Sequence, residues 1–253
     1  MSYHWKPTLV VIAILLLGAA PSEATRPLVV DDADPVDPGM VQLESGVSYA
    51  RDSTYKHWDF PVGIIYGVVP DFEVNMAFSG QIHREESVAG AEHANGIGDL
   101  EVGAKWRFLD SSTMGARHAL VPSVKLPTAS RDDGLGSGET DYDLTWVVSW
   151  AVDEATGINV NLGYTWLGGV KNDAVHYGVG VEYMLVDSLQ WVGEVFAEQI
   201  DAHNFNPDVA CNTGLRWTAM DGLALDAAAG TRIHGDAPEV ALTVGLTYLF
   251  GLN

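Results

Sequence analysis

From Gly39 onward, apolar and polar residues alternate in run after run, and a period of two restricts a chain to strands with one greasy and one wet face. Val41, Leu43, Val47 and Tyr49 interleave with Gln42, Glu44, Gly46 and Ser48. Trp58, Phe60, Val62, Ile64 and Tyr66 share one face of the next run. Phe72, Val74, Met76 and Phe78 alternate with Glu73, Asn75, Ala77 and Ser79. Leu100, Val102, Ala104, Trp106 and Phe108 oppose Asp99, Glu101, Gly103, Lys105 and Arg107. The same pattern predicts strands near 119–127, 140–150, 157–166, 175–185, 189–200, 208–218, 222–234 and 239–250, twelve in all. Two runs are less regular: 119–127 contains Pro122, and 189–200 carries apolar residues on both faces. No amphipathic helix of useful length interrupts the series.

Alternation alone fits a soluble sandwich, with apolar side chains in a dry core, or a membrane barrel, with those side chains facing lipid. The polar face decides for the barrel. It is mostly Gly, Ser, Thr, Asn and Ala with charges of both signs, and only 19% of the chain is charged against about 25% in ordinary soluble domains. If the first strand rises from the periplasm, the aromatics sort into two bands. Tyr66, Phe72, Trp106, Phe108, Trp150, Tyr183, Trp191, Trp217, Tyr248 and Phe250 lie near periplasmic strand ends; Tyr49, Trp58, Phe60, Tyr142, Tyr164, Trp166 and Tyr177 lie near outer ends. Such girdles suit amphipathic rings at two interfaces. Short turns such as Val69-Pro70-Asp71 and Met220-Asp221-Gly222 fall on one side, and the longer polar stretches 84–96 and 128–139 on the other. The expected fold is therefore all-β: a transmembrane antiparallel up-and-down β-barrel over 39–253, of about twelve strands with both termini in the periplasm.

The first 24 residues read as a signal peptide. Lys6 precedes the apolar run Leu9 to Leu17, and Ser22-Glu23-Ala24 supplies a small-x-small cleavage site. The run is too short for the roughly 20 residues of a membrane-spanning helix. Residues 25–38 hold three prolines and four aspartates and are expected to form an extended, solvated periplasmic arm. The predicted location is the outer membrane of a Gram-negative bacterium. The expected partners are its lipid and lipopolysaccharide, the barrel-assembly machinery and a small-molecule solute. A net charge of −21 repels phosphate backbones and argues against nucleic acid. The lone Cys211 can form neither an internal disulfide nor a Cys-cluster metal site, and is expected to face lipid.

Several segments resemble the outer-membrane transporter family named for the meta-pathway of phenol degradation. They are Asp37-Pro38-Gly39, Leu43-Glu44-Ser45-Gly46-Val47-Ser48-Tyr49, Gly98-Asp99-Leu100-Glu101-Val102-Gly103-Ala104-Lys105-Trp106-Arg107-Phe108, Lys125-Leu126-Pro127-Thr128, Gly134-Leu135-Gly136-Ser137-Gly138 with Thr140-Asp141, Asn161-Leu162-Gly163-Tyr164-Thr165, and Gly245-Leu246-Thr247-Tyr248-Leu249-Phe250. The resemblance implies a barrel with a transport role, for hydrophobic or aromatic compounds by analogy. The last segment also resembles the terminal signal read by the assembly machinery, except that Gly251-Leu252-Asn253 follow the aromatic.

The expected lumen-lining residues are Glu73, Asp99, Glu101, Lys105, Arg107, Lys125, Asp141, Asp143, Glu182, Glu194, Arg216, Asp226 and Arg232. Charges inside a barrel must be wetted or paired. They therefore form either a pathway for a polar or cationic solute or a web of salt bridges filling a narrow bore. Gly134-Leu135-Gly136-Ser137-Gly138 looks like a dinucleotide loop but leads into a strand, so no cofactor is expected there and a flexible outer loop is the better reading. His83, Glu85, Glu86 and His93 cluster in one outer loop, where a solvated surface is favoured over a metal site. An outer-membrane hydrolase needs a nucleophile beside a histidine. His176 and His234 sit on the lumen face without an adjacent serine, so no enzyme activity is expected. The leading expectation is a passive channel or transporter for small solutes. The alternatives are an outer-membrane hydrolase and a structural barrel with a plugged lumen.

Overall fold

The computed structural model describes residues 26–53, 55–87, 90–111, 115–170, 172–200 and 206–251, without the side chains of 83–93. The expected export segment and the side chains of His83, Glu85, Glu86 and His93 lie outside the described residues. The strands are β1 (Met40–Arg51), β2 (Tyr55–Val69), β3 (Phe72–Ser87), β4 (Gly90–Ile97), β5 (Leu100–Ser111), β6 (Ala116–Leu126) and β7 (Asp141–Ala151). They continue with β8 (Thr156–Trp166), β9 (Ala174–Val186), β10 (Leu189–Ile200), β11 (Asp208–Met220), β12 (Leu223–His234) and β13 (Val240–Gly251).

Apart from β4 and β5, which both pair with β3, successive strands pair antiparallel, and β1 pairs with β13 from Met40↔Gly251 to Arg51↔Val240. That seam closes the wall, and among the described residues only β4, which pairs with β3 alone, keeps an outer edge. The barrel has twelve staves. β4 and β5 lie end to end along β3, which pairs through Gly80–Ser87 with β4 and through Phe72–Ala77 with β5. The stretch 84–96, expected as a loop, is instead a hairpin in which β3 and β4 run on to Ser87 and Gly90. Ladder bonds are made by the backbone, so polar residues on both faces do not stop pairing once the strands have left the membrane.

The faces divide as the alternation requires. Trp106 is 52% exposed and Leu246 39%, while Glu73 on the other face of the wall is 1% exposed. Outward rings meet across strands: Tyr49 and Trp58 are register partners with ring centres 4.6 Å apart. Trp106–Phe108 and Tyr248–Phe250 mark the opposite end. Between strands, the turns at 70–71, 187–188 and 221–222 are tight, whereas 127–140 and 167–173 are longer and lie at the other end.

A second expectation fails. Residues 26–38 are not a solvated arm; they run inside the barrel, with Leu28, Val30 and Ala33 all 3% exposed or less. Pro27, Pro35 and Pro38 deny this segment regular ladder bonds, so it cannot join the sheet as a strand. Its aspartates and free N–H groups find partners among the inward charges instead. The segment also meets apolar residues of the wall. Val121 of β6 and Val147 of β7 point inward and pack with Ala33 in a small dry cluster with Ala119.

Candidate functional site

The site is the lumen, and the segment 26–38 divides it. The segment starts at the β1–β13 seam and circles the wall. Arg26 donates to both carboxylate oxygens of Asp226 on β12, at 3.2 and 3.3 Å, and to Thr243 Oγ1 on β13 at 2.9 Å. Its carbonyl accepts from Arg216 Nε at 2.8 Å. The guanidinium lies over Gly46 and Gly245, which face each other across the seam. A Cβ on either would fall 2.4 or 2.2 Å from Arg26 Nη2. Glu194 of β10 accepts from the backbone N–H groups of Val29 and Val30 at 2.7–2.9 Å, and from Asn212 Nδ2 at 2.6 Å. Val30 rests on Gly178, where a Cβ would meet its Cγ2 at 2.6 Å.

Farther along, Lys105 Nζ sits 3.0 Å from Asp31 Oδ1 and 3.7 Å from Glu73 Oε1, all three nearly buried. The Ala33 N–H donates to Ser149 Oγ at 2.8 Å, and the Val36 N–H donates to Glu73. Asp34 binds Arg107 Nη1 at 2.6 Å and Arg117 Nη2 at 3.2 Å. Arg107 also holds Asp71 in the β2–β3 turn. These partners sit at the middle of their strands or toward the short-turn end, so the segment fills that half of the lumen.

Above it, toward the long loops, is a cavity of about 650 Å³. Residues 26–31 form its floor, and parts of 131–139, 167–170 and 237–238 its roof. The Gly134–Gly138 run, read from sequence as a flexible outer loop, folds over this mouth with Leu135 only 7% exposed. Gly136 abuts the Asp99 carboxylate, whose Oδ1 also accepts from the Ala129 N–H at 2.9 Å. Lys125 ties the roof down by donating to Ser137 Oγ at 2.9 Å and pairing with Asp141. Asp141 also accepts from the Gly168 N–H at 2.8 Å.

The thirteen sequence-predicted residues therefore fall into groups. Glu73, Lys105, Arg107, Glu194, Arg216 and Asp226 grip the luminal segment. Glu182 supports Arg216 at 3.6 Å. Glu101, Lys125, Asp141 and Asp143 line the upper cavity, and Asp99 anchors its roof. Arg232 pairs with Glu239 at 2.9 Å at the long-loop rim, where both are partly exposed. Sequence reasoning did not single out Arg26, Asp31, Asp34, Glu44 or Glu198. The available signal was the set of inward glycines, Gly46, Gly178 and Gly245, which leave room for side chains arriving from elsewhere.

His176 does have a hydroxyl nearby. Thr145 Oγ1 is 3.4 Å from His176 Nε2, but Asp143 Oδ2 occupies that same nitrogen at 2.8 Å. A hydrolytic relay needs acid and nucleophile on opposite ring nitrogens, so this constellation is an ion-pair cluster. No group of three or more His, Cys, Asp or Glu among the described residues converges as metal ligands do.

Comparison with known proteins agrees with the architecture. A profile for the family described as "Uncharacterised conserved protein UCP029691" matches residues 12–250, and that description does not carry the phenol-pathway name. No curated protein sequence matches. Among solved structures, the barrel is similar to the COG4313 outer membrane channel from Pseudomonas putida F1. The TM-score is 0.66 at 14% identity, with 87% of this chain and 98% of that one covered. It is also similar to the NanC porin (0.61, 8% identity, 81% and 98% covered) and the KdgM porin (0.59, 11% identity, 83% and 99% covered). At such identities the likeness is one of fold.

Proposed function

As a member of the family described as Uncharacterised conserved protein UCP029691, with the fold of an outer-membrane barrel, the chain is, we propose, a channel for small solutes whose bore is gated by its own segment 26–38. The single observation that carries this reading is the segment's seat in the lumen. It is fastened by hydrogen bonds and ion pairs to strands around the wall and leaves a cavity on its long-loop side. A pure structural plug needs no such cavity. In this reading the short-turn end faces the periplasm, the exposed apolar band meets acyl chains, the barrel-assembly machinery inserts the barrel, and outer-loop acids contact lipopolysaccharide through divalent cations. The charges at the upper cavity favour polar or cationic solutes, and the aromatic solutes suggested by resemblance fit if they carry positive charge.

Single-channel recording in planar bilayers tests this. The mature chain is expected to show small conductance steps, and a chain lacking 26–38 larger ones with cation preference. If neither passes current, the barrel is a plugged structural element and the channel reading fails. Detectable lipid or peptide hydrolysis lost on His176→Ala would instead favour an enzyme.

A further inference from the structure

We infer that the upper cavity is a binding site for a small organic monocation with an apolar or aromatic body, a reading that rests on the lumen being a solute path. The cavity is large enough for such a ligand, within the usual range of about 300–1,000 Å³ for small-molecule sites.

Its charges are not balanced from within. Three full cations line it, and each is committed: Arg26 to Asp226, Lys125 to Asp141 and Arg131 to Glu139; Lys105, behind the floor, is committed to Asp31. His176 gives its Nε2 to Asp143. Glu198, the register partner of both His176 and Asp208, then lines the cavity without accepting a hydrogen bond from a described residue. On the floor, Asp31 is 3% exposed and spends its Oδ1 on Lys105 at 3.0 Å, so it is balanced from the wall side. Glu198 is the acceptor that a ligand ammonium would satisfy, and a carboxylate in such a cavity without a donor is costly.

The neighbourhood also fits an apolar body. Phe196 lies two residues before Glu198 on the same face of β10, and both line the cavity. A Cβ on Gly178 would touch Val30 Cγ2 at 2.6 Å and Phe196 Cβ at 3.0 Å, so the aromatic wall meets the apolar floor at this corner. A ring or short alkyl chain seated on Val30 and Phe196 places its ammonium beside Glu198, and the aromatic face attracts the same cation. The absence of convergent ligand geometry among the described residues argues for an organic cation over a metal ion.

The test uses the mature protein in detergent, titrated calorimetrically with benzylammonium, benzyl alcohol and benzoate. Benzylammonium is expected to bind, the neutral analogue at least about tenfold more weakly, and benzoate not at all. Glu198→Gln should weaken benzylammonium about tenfold, and Phe196→Leu should weaken it while Trp106→Leu does not. Equal binding of ammonium and alcohol, binding of benzoate, or no binding overturns the inference. The alcohol comparison in the unmodified protein decides even if a variant fails to fold. Conductance without benzylammonium binding sinks this site and leaves the channel reading standing; binding without conductance in either chain does the reverse.

Discussion

Lys105 Nζ lies 3.0 Å from Asp31 Oδ1, and this buried pair joins the middle of β5 to the segment that precedes the first strand. The side chains are each 4% exposed, so neither charge has bulk water to fall back on. Glu73 completes the group at 3.7 Å. The pair ties the occupant of the lumen to its wall.

Lys105→Met removes the only cation among the described residues that bridges Asp31 and Glu73. Breaking one side of a buried pair typically costs about 3–5 kcal/mol because a charge is left uncompensated. Segment 26–38 should leave its seat while the barrel persists. Protease digestion of liposome-embedded protein should then trim the N-terminus and spare the barrel, and single-channel conductance should rise. Adding Asp31→Asn should restore part of the protection. A segment that stays protected in Lys105→Met would show that this pair does not hold it.

Gly245→Val puts side-chain atoms where the Arg26 guanidinium now lies, since even a Cβ there would sit 2.2 Å from Nη2. The variant should resemble Arg26→Ala, with the first turn of the segment released. Because both changes break one contact, the double variant should be no worse than either single one, by a double-mutant cycle on protease sensitivity. Additive effects would mean the glycine serves the β1–β13 seam rather than Arg26.

Glu194→Ala strips the acceptor from the N–H groups of Val29 and Val30. Each buried donor left unsatisfied costs about 1–3 kcal/mol, so segment release should exceed that in Glu194→Gln, which keeps one acceptor oxygen. Hydrogen exchange at Val29 and Val30 reads this directly, with faster exchange expected in the order wild type, Gln, Ala. Identical exchange in all three would remove Glu194 from the account.

Val179 lies mid-strand on β9 and is 47% exposed on the outward face. Val179→Arg should destabilise the folded barrel in lipid by about 2–4 kcal/mol if this face meets the bilayer midplane. Denaturant titration of bilayer-inserted protein measures it. A neutral result would mean that the outward face is not in hydrocarbon.

The strands were legible in the sequence because side-chain alternation is a local signal, carried by each run of residues independently. The outward direction of Trp106 and the inward direction of Glu73 followed from the chemistry of the two faces. Twelve staves were readable, yet the hairpin at Ser87 and Gly90 was not, because ladder bonds outside the membrane need no hydrophobic pattern. The irregularity of 119–127 and 189–200 was visible in the sequence; that Val121 packs against Ala33 was not.

The sequence by itself determined an antiparallel sheet of membrane-crossing strands, since period two and two aromatic bands are properties of neighbouring residues. Only the tertiary structure decided what fills the tube. Arg26 and Asp226 are 200 positions apart, and nothing local in a Pro- and Asp-rich stretch says whether its charges end in water or against lysine and arginine. That choice is made when the β1–β13 seam closes and brings Gly46 and Gly245 together, leaving room over both for the Arg26 guanidinium.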